Sequence, residues 1–254
     1  MKKLLTQGLI GAAALISNGA ANAVVMDFES GVDYTYAPFA PLLAGGDALL
    51  QGNFFANTQD VNGGSGLIAN LSNAADPGSC LNGACPVNSA GQGTFLSVLN
   101  DGLVHFGSID GTAVKLESLV AAFIPGVGVP TGSTFYLAIE GDRSSAPGDF
   151  SSMYFPLIGG TTGNAFQTID VTQGGYRLGG SGSLSDSFTD IYVYGYFCNG
   201  STGDCSAFTT NRAQFALDDI TFNTLTAVPE PSEWLLITLG LGAIGAAVRR
   251  RRSI

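Results

Sequence analysis

The chain has 254 residues, with 10 Lys and Arg, 20 Asp and Glu, one histidine and four cysteines, for a formal net charge of −10. The basic residues are concentrated at the two ends, so residues 24–226 keep only Lys115, Arg143, Arg177 and Arg212 against 18 carboxylates, 15 of them aspartates, a net charge of −14. This excludes nucleic acid as a partner, because that recognition rests on neutralising phosphates with Lys and Arg. A surface of short carboxylates instead suits high solubility and divalent cations such as calcium, which take oxygen ligands.

At the N-terminus, Lys2 and Lys3 form a positive region, Leu9 to Ile16 an apolar run, and Ala21-Asn22-Ala23 an A-x-A cleavage site. Residues 1–23 therefore read as a secretory signal peptide that is removed; the alternative is a permanent N-terminal anchor, for which the apolar run is short. The body that follows, residues 24–226, fits one domain of the size an all-β sandwich commonly reaches.

Period-two alternation dominates that body, with Gly, Asn, Ser and Asp between the runs, so the expected fold is an all-β, antiparallel β-sandwich, jelly-roll-like in its strand order. VVMDFES sets Met26 and Phe28 on one face and Asp27 and Glu29 on the other. Gly45 to Ser65, Ala74 to Gln92 and Gln173 to Ser187 read as long loops. TFLSVL and LVHF flank Asn100-Asp101-Gly102, a hairpin signal, since Gly tolerates the positive φ such turns require. In TAVKLESLV, Val114 and Leu116 alternate with Lys115 and Glu117; in TFYLAIEG, Phe135, Leu137 and Ile139 share a face.

Cysteines fall in two local pairs, Cys80 with Cys85 and Cys198 with Cys205. In an exported protein these read as two disulfides stapling loop tips rather than the core. Zinc is the competing reading, but neither spacing is C-x2-C and His105 is the only histidine.

In DIYVYGYF, Tyr192, Tyr194 and Tyr196 fall on one face, opposite Ile191, Val193 and Phe197. Exposed, they form a stacking platform for sugar rings, because tyrosine offers a flat apolar face and a polar tip. Half-buried sheet tyrosines with hydroxyls reaching water are the plainer reading. Further on, Gln214-Phe215-Ala216-Leu217-Asp218-Asp219-Ile220-Thr221-Phe222 changes phase in the middle. Phe215 and Leu217 share one parity and Ile220 and Phe222 the other, so a bulge at Asp218-Asp219 is needed to keep both pairs on one face.

Signatures of common enzymes are missing: there is no G-x-S-x-G elbow, P-loop or zinc-type His-Glu pair. His105 lies in an alternating strand and reads as a sheet residue. Glu117 or Glu140 with an aspartate could serve glycoside hydrolysis, which needs two carboxylates at about 5–10 Å, but 18 carboxylates satisfy that by chance.

The tail, residues 228–254, carries Pro229, Glu230 and Pro231, an uncharged apolar run from Trp234 to Val248, and Arg249, Arg250, Arg251 and Arg252. Fifteen helical residues reach roughly 22 Å, short of a hydrocarbon core of roughly 30 Å, so the transmembrane helix is marginal. The arginines stay cytoplasmic by the positive-inside rule and leave the body outside. A buried core helix is the alternative, but it gains nothing from ending in adjacent like charges.

This tail resembles the PEP-CTERM sorting signal of Gram-negative bacteria: the triplet, a short transmembrane segment, a terminal basic cluster. The resemblance implies recognition by a membrane-embedded exosortase, cleavage near the triplet, and delivery to the cell surface or an extracellular polysaccharide matrix. Gln214, Phe215 and Asp218 resemble the Q-F-x-x-D motif of one PEP-CTERM subgroup, which brings no activity with it. The D-F-E of Asp27 to Glu29 together with the F-x-L-D-D-I-x-F of Phe215 to Phe222 resembles jelly-roll carbohydrate-binding modules, in which first and last strands adjoin and acidic residues hold a structural calcium. Asp27, Glu29, Asp218 and Asp219 are then the candidate calcium ligands; plain solvent-facing carboxylates are the alternative, since no EF-hand loop is present. The functional expectation is a non-enzymatic, exported, polysaccharide-associated or structural protein, with a calcium-stabilised carbohydrate-binding module and a secreted glycan-degrading enzyme as rivals. Its expected partners are an exosortase during processing, extracellular polysaccharide, and the membrane only through the C-terminal helix.

Overall fold

The computed structural model describes residues 22–62, 66–80, 85–86, 93–99, 102–126, 128–143, 149–158, 165–180, 183–208 and 212–224. The signal peptide through residue 21, the Pro229-Glu230-Pro231 triplet, the helix over 234–248 and the arginines lie outside them. Among the described residues no helix is long and apolar enough to cross a membrane.

The strands, in chain order, are β1 (Asn22–Met26), β2 (Val32–Tyr36), β3 (Leu42–Ala44), β4 (Ala48–Gln51), β5 (Phe54–Gln59), β6 (Leu67–Asn73), β7 (Thr94–Val98), β8 (Leu103–Ser108), β9 (Val114–Pro125), β10 (Thr134–Asp142), β11 (Phe150–Leu157), β12 (Gln167–Asp170), β13 (Tyr176–Gly180), β14 (Asp190–Cys198), β15 (Cys205–Ser206) and β16 (Ala213–Thr224). They form two antiparallel sheets, one of seven strands in the order β12-β9-β16-β7-β6-β3 with β1 also on β16, the other of nine in the order β13-β11-β10-β14-β8-β5-β4-β2 with β15 also on β14. The all-β sandwich expected from the alternation is the fold observed.

One core fills the space between the sheets, because each strand sends alternate residues inward. Phe215, Leu217, Ile220 and Phe222 of β16 meet Phe135, Leu137, Ile139, Val193 and Phe197 of the facing sheet in one buried cluster. Stacked rings tie the layers: Phe54 lies 4.8 Å from Phe222, and Phe123 lies 3.4 Å from Phe135. Each such buried ring contributes about 1.5–3 kcal/mol by leaving water. A smaller cluster of Cys80, Phe95, Ala122, Ile124, Phe166 and Ala216 packs on the outer side of the seven-stranded sheet, where Phe95 and Phe166 meet edge to face at 5.2 Å.

Three local expectations are corrected. β7 and β8 do not form a hairpin: β7 pairs with β6 and β16 in one sheet, and β8 with β5 and β14 in the other. The stretch from Gly45 to Ser65 is not a loop but holds β4 and β5, and Gln173 to Ser187 holds β13. Both disulfides pair as expected, but they are not confined to loop tips. Cys80, bonded to Cys85, is 6% exposed within the smaller cluster, while Cys198 and Cys205 face each other in the β14–β15 register.

Candidate functional site

β1 and β16 are paired, from Asn22 opposite Thr224 to Met26 opposite Ile220, so the first and last strands adjoin. Further along the same edge of β16, residues Phe215 to Leu217 pair with β7. Two strand ends therefore meet at Asp218-Asp219. On the other side β9 runs from Val120, opposite Asp218, to Ser118, opposite Thr221, so β16 carries one extra residue there. This is the bulge required by the phase change, and Asp219 absorbs it at φ 45°.

The carboxylates converge at this seam. Asp218 is 2% exposed, and its Oδ1 accepts the Asp219 N–H at 2.8 Å. Burial, joined by the charges of Asp219, Glu29 and Asp27, pushes its pKa up to about 8. Asp219 is raised too, by burial and then by Asp27 and Glu29. Burial alone would raise Asp27, but hydrogen bonds, first that from Gln51, hold it below its ordinary value. Gln51 was not singled out in the sequence, yet it clamps this turn: its Oε1 accepts the N–H groups of Asp27 and Phe28, and its Nε2 donates to Asp27 Oδ1 at 2.6 Å. Glu29 Oε1 accepts the Thr94 N–H at 2.9 Å, capping the first amide of β7. Gly93 beside it has φ +59°, and a Cβ there would fall on the Glu29 carboxylate.

All four candidate ligands are thus brought to one seam. Their chemistry is oxygen-only and suits calcium rather than a softer ion. In their present rotamers three of them, Asp27, Glu29 and Asp218, are turned toward amide donors, and among the described residues no three His, Cys, Asp or Glu side chains form a ready metal shell.

A second surface is the outer side of the nine-stranded sheet. Tyr192, Tyr194 and Tyr196 lie on it, with Ile191, Val193 and Phe197 buried on the opposite side. Register brings further tyrosines beside them: Tyr136 opposite Tyr196 across β10–β14, and Tyr154 opposite Tyr176 across β11–β13. Tyr154 stacks with Tyr176 at 5.2 Å and meets Tyr136 edge to face at 5.0 Å. The expected trio is part of a six-tyrosine face, half-buried by mutual contact and open enough that Tyr176 is 56% exposed. On the same face Glu140 stands opposite Tyr192 and Ser152. Burial raises Glu140, and the Asp142 charge adds to it.

His105 is a sheet residue, as its strand pattern implies. Its Nε2 lies 2.8 Å from Asp190 Oδ1, and its ring stacks on Tyr192 at 4.7 Å.

Comparison with known proteins gives no matching family model, no similar curated protein and no similar solved structure.

Proposed function

We propose that this protein is exported, sorted through its PEP-CTERM-like tail by an exosortase, and released to the cell surface or extracellular matrix as a polysaccharide-associated structural component without enzymatic activity. The observation that carries the polysaccharide reading is the outward tyrosine face, where six flat apolar rings with polar tips lie on adjoining strands. Sugar rings stack on such surfaces while their hydroxyls bond the phenol tips. Binding of native exopolysaccharide to the full chain, purified in mild detergent, tests this against Y192A/Y194A/Y196A. The triple variant should lose most of the binding. Retention of both fold and binding by that variant would overturn the platform.

Support for the route comes from the leader and the tail. The mass of the released protein tests it: the expected form lacks residues 1–23 and everything after the cleavage near Pro229-Glu230-Pro231, and an intact Arg249 to Arg252 would count against sorting.

A second reading adds structural calcium at the seam, within a jelly-roll-like carbohydrate-binding module. The buried Asp218 carboxyl favours it, since a bound cation would supply the positive charge that this desolvated group and its three neighbours otherwise lack. Asp27, Glu29, Asp218 and Asp219 would hold the ion. Calorimetric titration with calcium should give heat and a raised Tm; no heat, with a Tm indifferent to chelator, removes the site.

A further inference from the structure

Three side chains converge on the outer side of the seven-stranded sheet, where β9 meets β16. Lys115 of β9 stands directly opposite Asn223 of β16, and residues so placed carry Cβ atoms about 4.5–5.5 Å apart. Their neighbours Val114, Leu116 and Phe222 turn the other way, into the core. Glu117 is an extra residue of β9: Leu116 is opposite Phe222 and Ser118 opposite Thr221, so no residue of β16 faces it. Such a bulge re-aims its side chain. Glu117 Oε1 accepts from Asn223 Nδ2 at 3.0 Å and lies 3.6 Å from Lys115 Nζ, so amine and carboxamide meet at one carboxylate oxygen.

A second observation singles out Asn223. Its Oδ1 is shielded from solvent and has no hydrogen-bond partner, although its Nδ2 is bonded. Leaving such an oxygen unbonded is costly, and an ordinary ion pair with an asparagine beside it gives no reason to do so. A carboxamide open to attack does give one. Attack at Cγ puts negative charge on Oδ1, and a donor then bonds it. The oxygen left open is the one where that charge develops.

We infer that Lys115 and Asn223 become joined by an intramolecular isopeptide bond, with Glu117 as the acid–base group, tying β9 covalently to the last strand. The step balances with no oxidant and no co-reactant. Lys115 passes one ammonium proton to Glu117, and the neutral amine attacks Asn223 Cγ, forming the Nζ–Cγ bond. Protonated Glu117 bonds Oδ1 as charge develops there, gives its proton to Nδ2, and takes the second amine proton from Nζ. The Cγ–Nδ2 bond breaks, and ammonia leaves as ammonium with that last proton. Glu117 is regenerated. Proximity supplies the drive, because the fold holds amine and carboxamide face to face on paired strands. β16 leads into the tail, so under the proposed route the bond braces the strand by which an anchored protein is held.

The test is the intact mass of the protein, purified in mild detergent, followed by proteolysis after its disulfides are reduced. Expected is a mass lower by one ammonia than its sequence and two disulfides require, and a branched peptide joining the segments that carry Lys115 and Asn223. A wild-type mass that retains the ammonia overturns the bond, and this arm needs no variant to fold. K115R keeps the positive charge but offers no amine to acylate, so it should retain the ammonia. Both K115R and E117Q should melt about 10 °C or more below wild type, the loss expected when a cross-link closing a loop of about a hundred residues is missing. Ammonia lost as readily from K115R would place the loss elsewhere, as at a succinimide of Asn199-Gly200, and overturn the bond. E117Q cross-linked as fully as wild type would overturn the acid–base role of Glu117.

Discussion

Replacing Asp218 by Asn should stabilise this protein above neutral pH, and the size follows from the seam. Folding moves the Asp218 carboxyl from an ordinary 3.8 to about 8. At about 1.36 kcal/mol per unit, the four-unit difference sets a ceiling of roughly 5 kcal/mol. The sign is fixed by proton binding: between these values the folded state holds a proton that the unfolded state has lost, so stability falls as pH rises through the window and levels off above about 8. Below 3.8 both states are protonated and the penalty vanishes. Asn keeps an oxygen for the Asp219 N–H but carries no charge. With chelator present, thermal melts of wild type and D218N should therefore agree near pH 4 and diverge toward pH 8, where the variant melts higher by at most about 10–20 °C, given roughly 2–4 °C per kcal/mol for a domain of this size. Asp219, raised in the same direction, stays in both proteins, so their difference isolates Asp218. A D218N protein that melts lower than wild type at pH 8, or a gap independent of pH, would refute the reasoning.

Gly93→Ala should cost about 2–4 kcal/mol by chemical denaturation, combining left-handed strain at φ +59° with loss of the Glu29 cap on Thr94; an unchanged midpoint would show that Glu29 moves aside freely. Gly195→Ala should cost at least about 1–3 kcal/mol, since its Cβ would collide with the Ala213 carbonyl oxygen of β16, a backbone atom that cannot rotate away. C198S/C205S should lower stability by about 2 kcal/mol, the chain-entropy value for a loop closed across a sequence separation of seven, and a loss above about 4 would show that β15 packing depends on the bridge.

The seam was legible because its signal is local. Phe215 and Leu217 cannot share a face with Ile220 and Phe222 unless one extra residue intervenes, and the two aspartates are the only polar residues between them. Adjacency of β1 and β16 was also anticipated, from the acidic D-F-E and L-D-D segments. The tyrosine face was only half legible. Alternation within β14 aligned three rings, but Tyr136, Tyr154 and Tyr176 join them through the β10, β11 and β13 registers, which are set by pairing between distant segments. The same limit produced the hairpin error, since Asn100-Asp101-Gly102 encodes a reversal without naming the partner of either strand. Gln51 left no trace at all, because a lone glutamine gains its role only when β4 delivers it beside the turn after β1.

Asn22 faces Thr224, so the first and last described residues lie opposite each other at one end of the β1–β16 pair. Cleavage after Ala23 would remove the first two residues of β1 and leave Val24, Val25 and Met26 still paired with Phe222, Thr221 and Ile220. Those three pairs abut the Asp218-Asp219 bulge, where Glu29 and Gln51 fasten the turn that follows. Under the proposed route, the N-terminus left after cleavage would be secured by the acidic seam more than by strand length, and the proposed calcium ion would strengthen that seam. The tyrosines sit on the other sheet and face outward, away from this pairing. Under the proposed route, a tail still anchored in the membrane and a glycan on the tyrosine face make no competing demands on the same strands, so ligand can be engaged before or after the tail is cut.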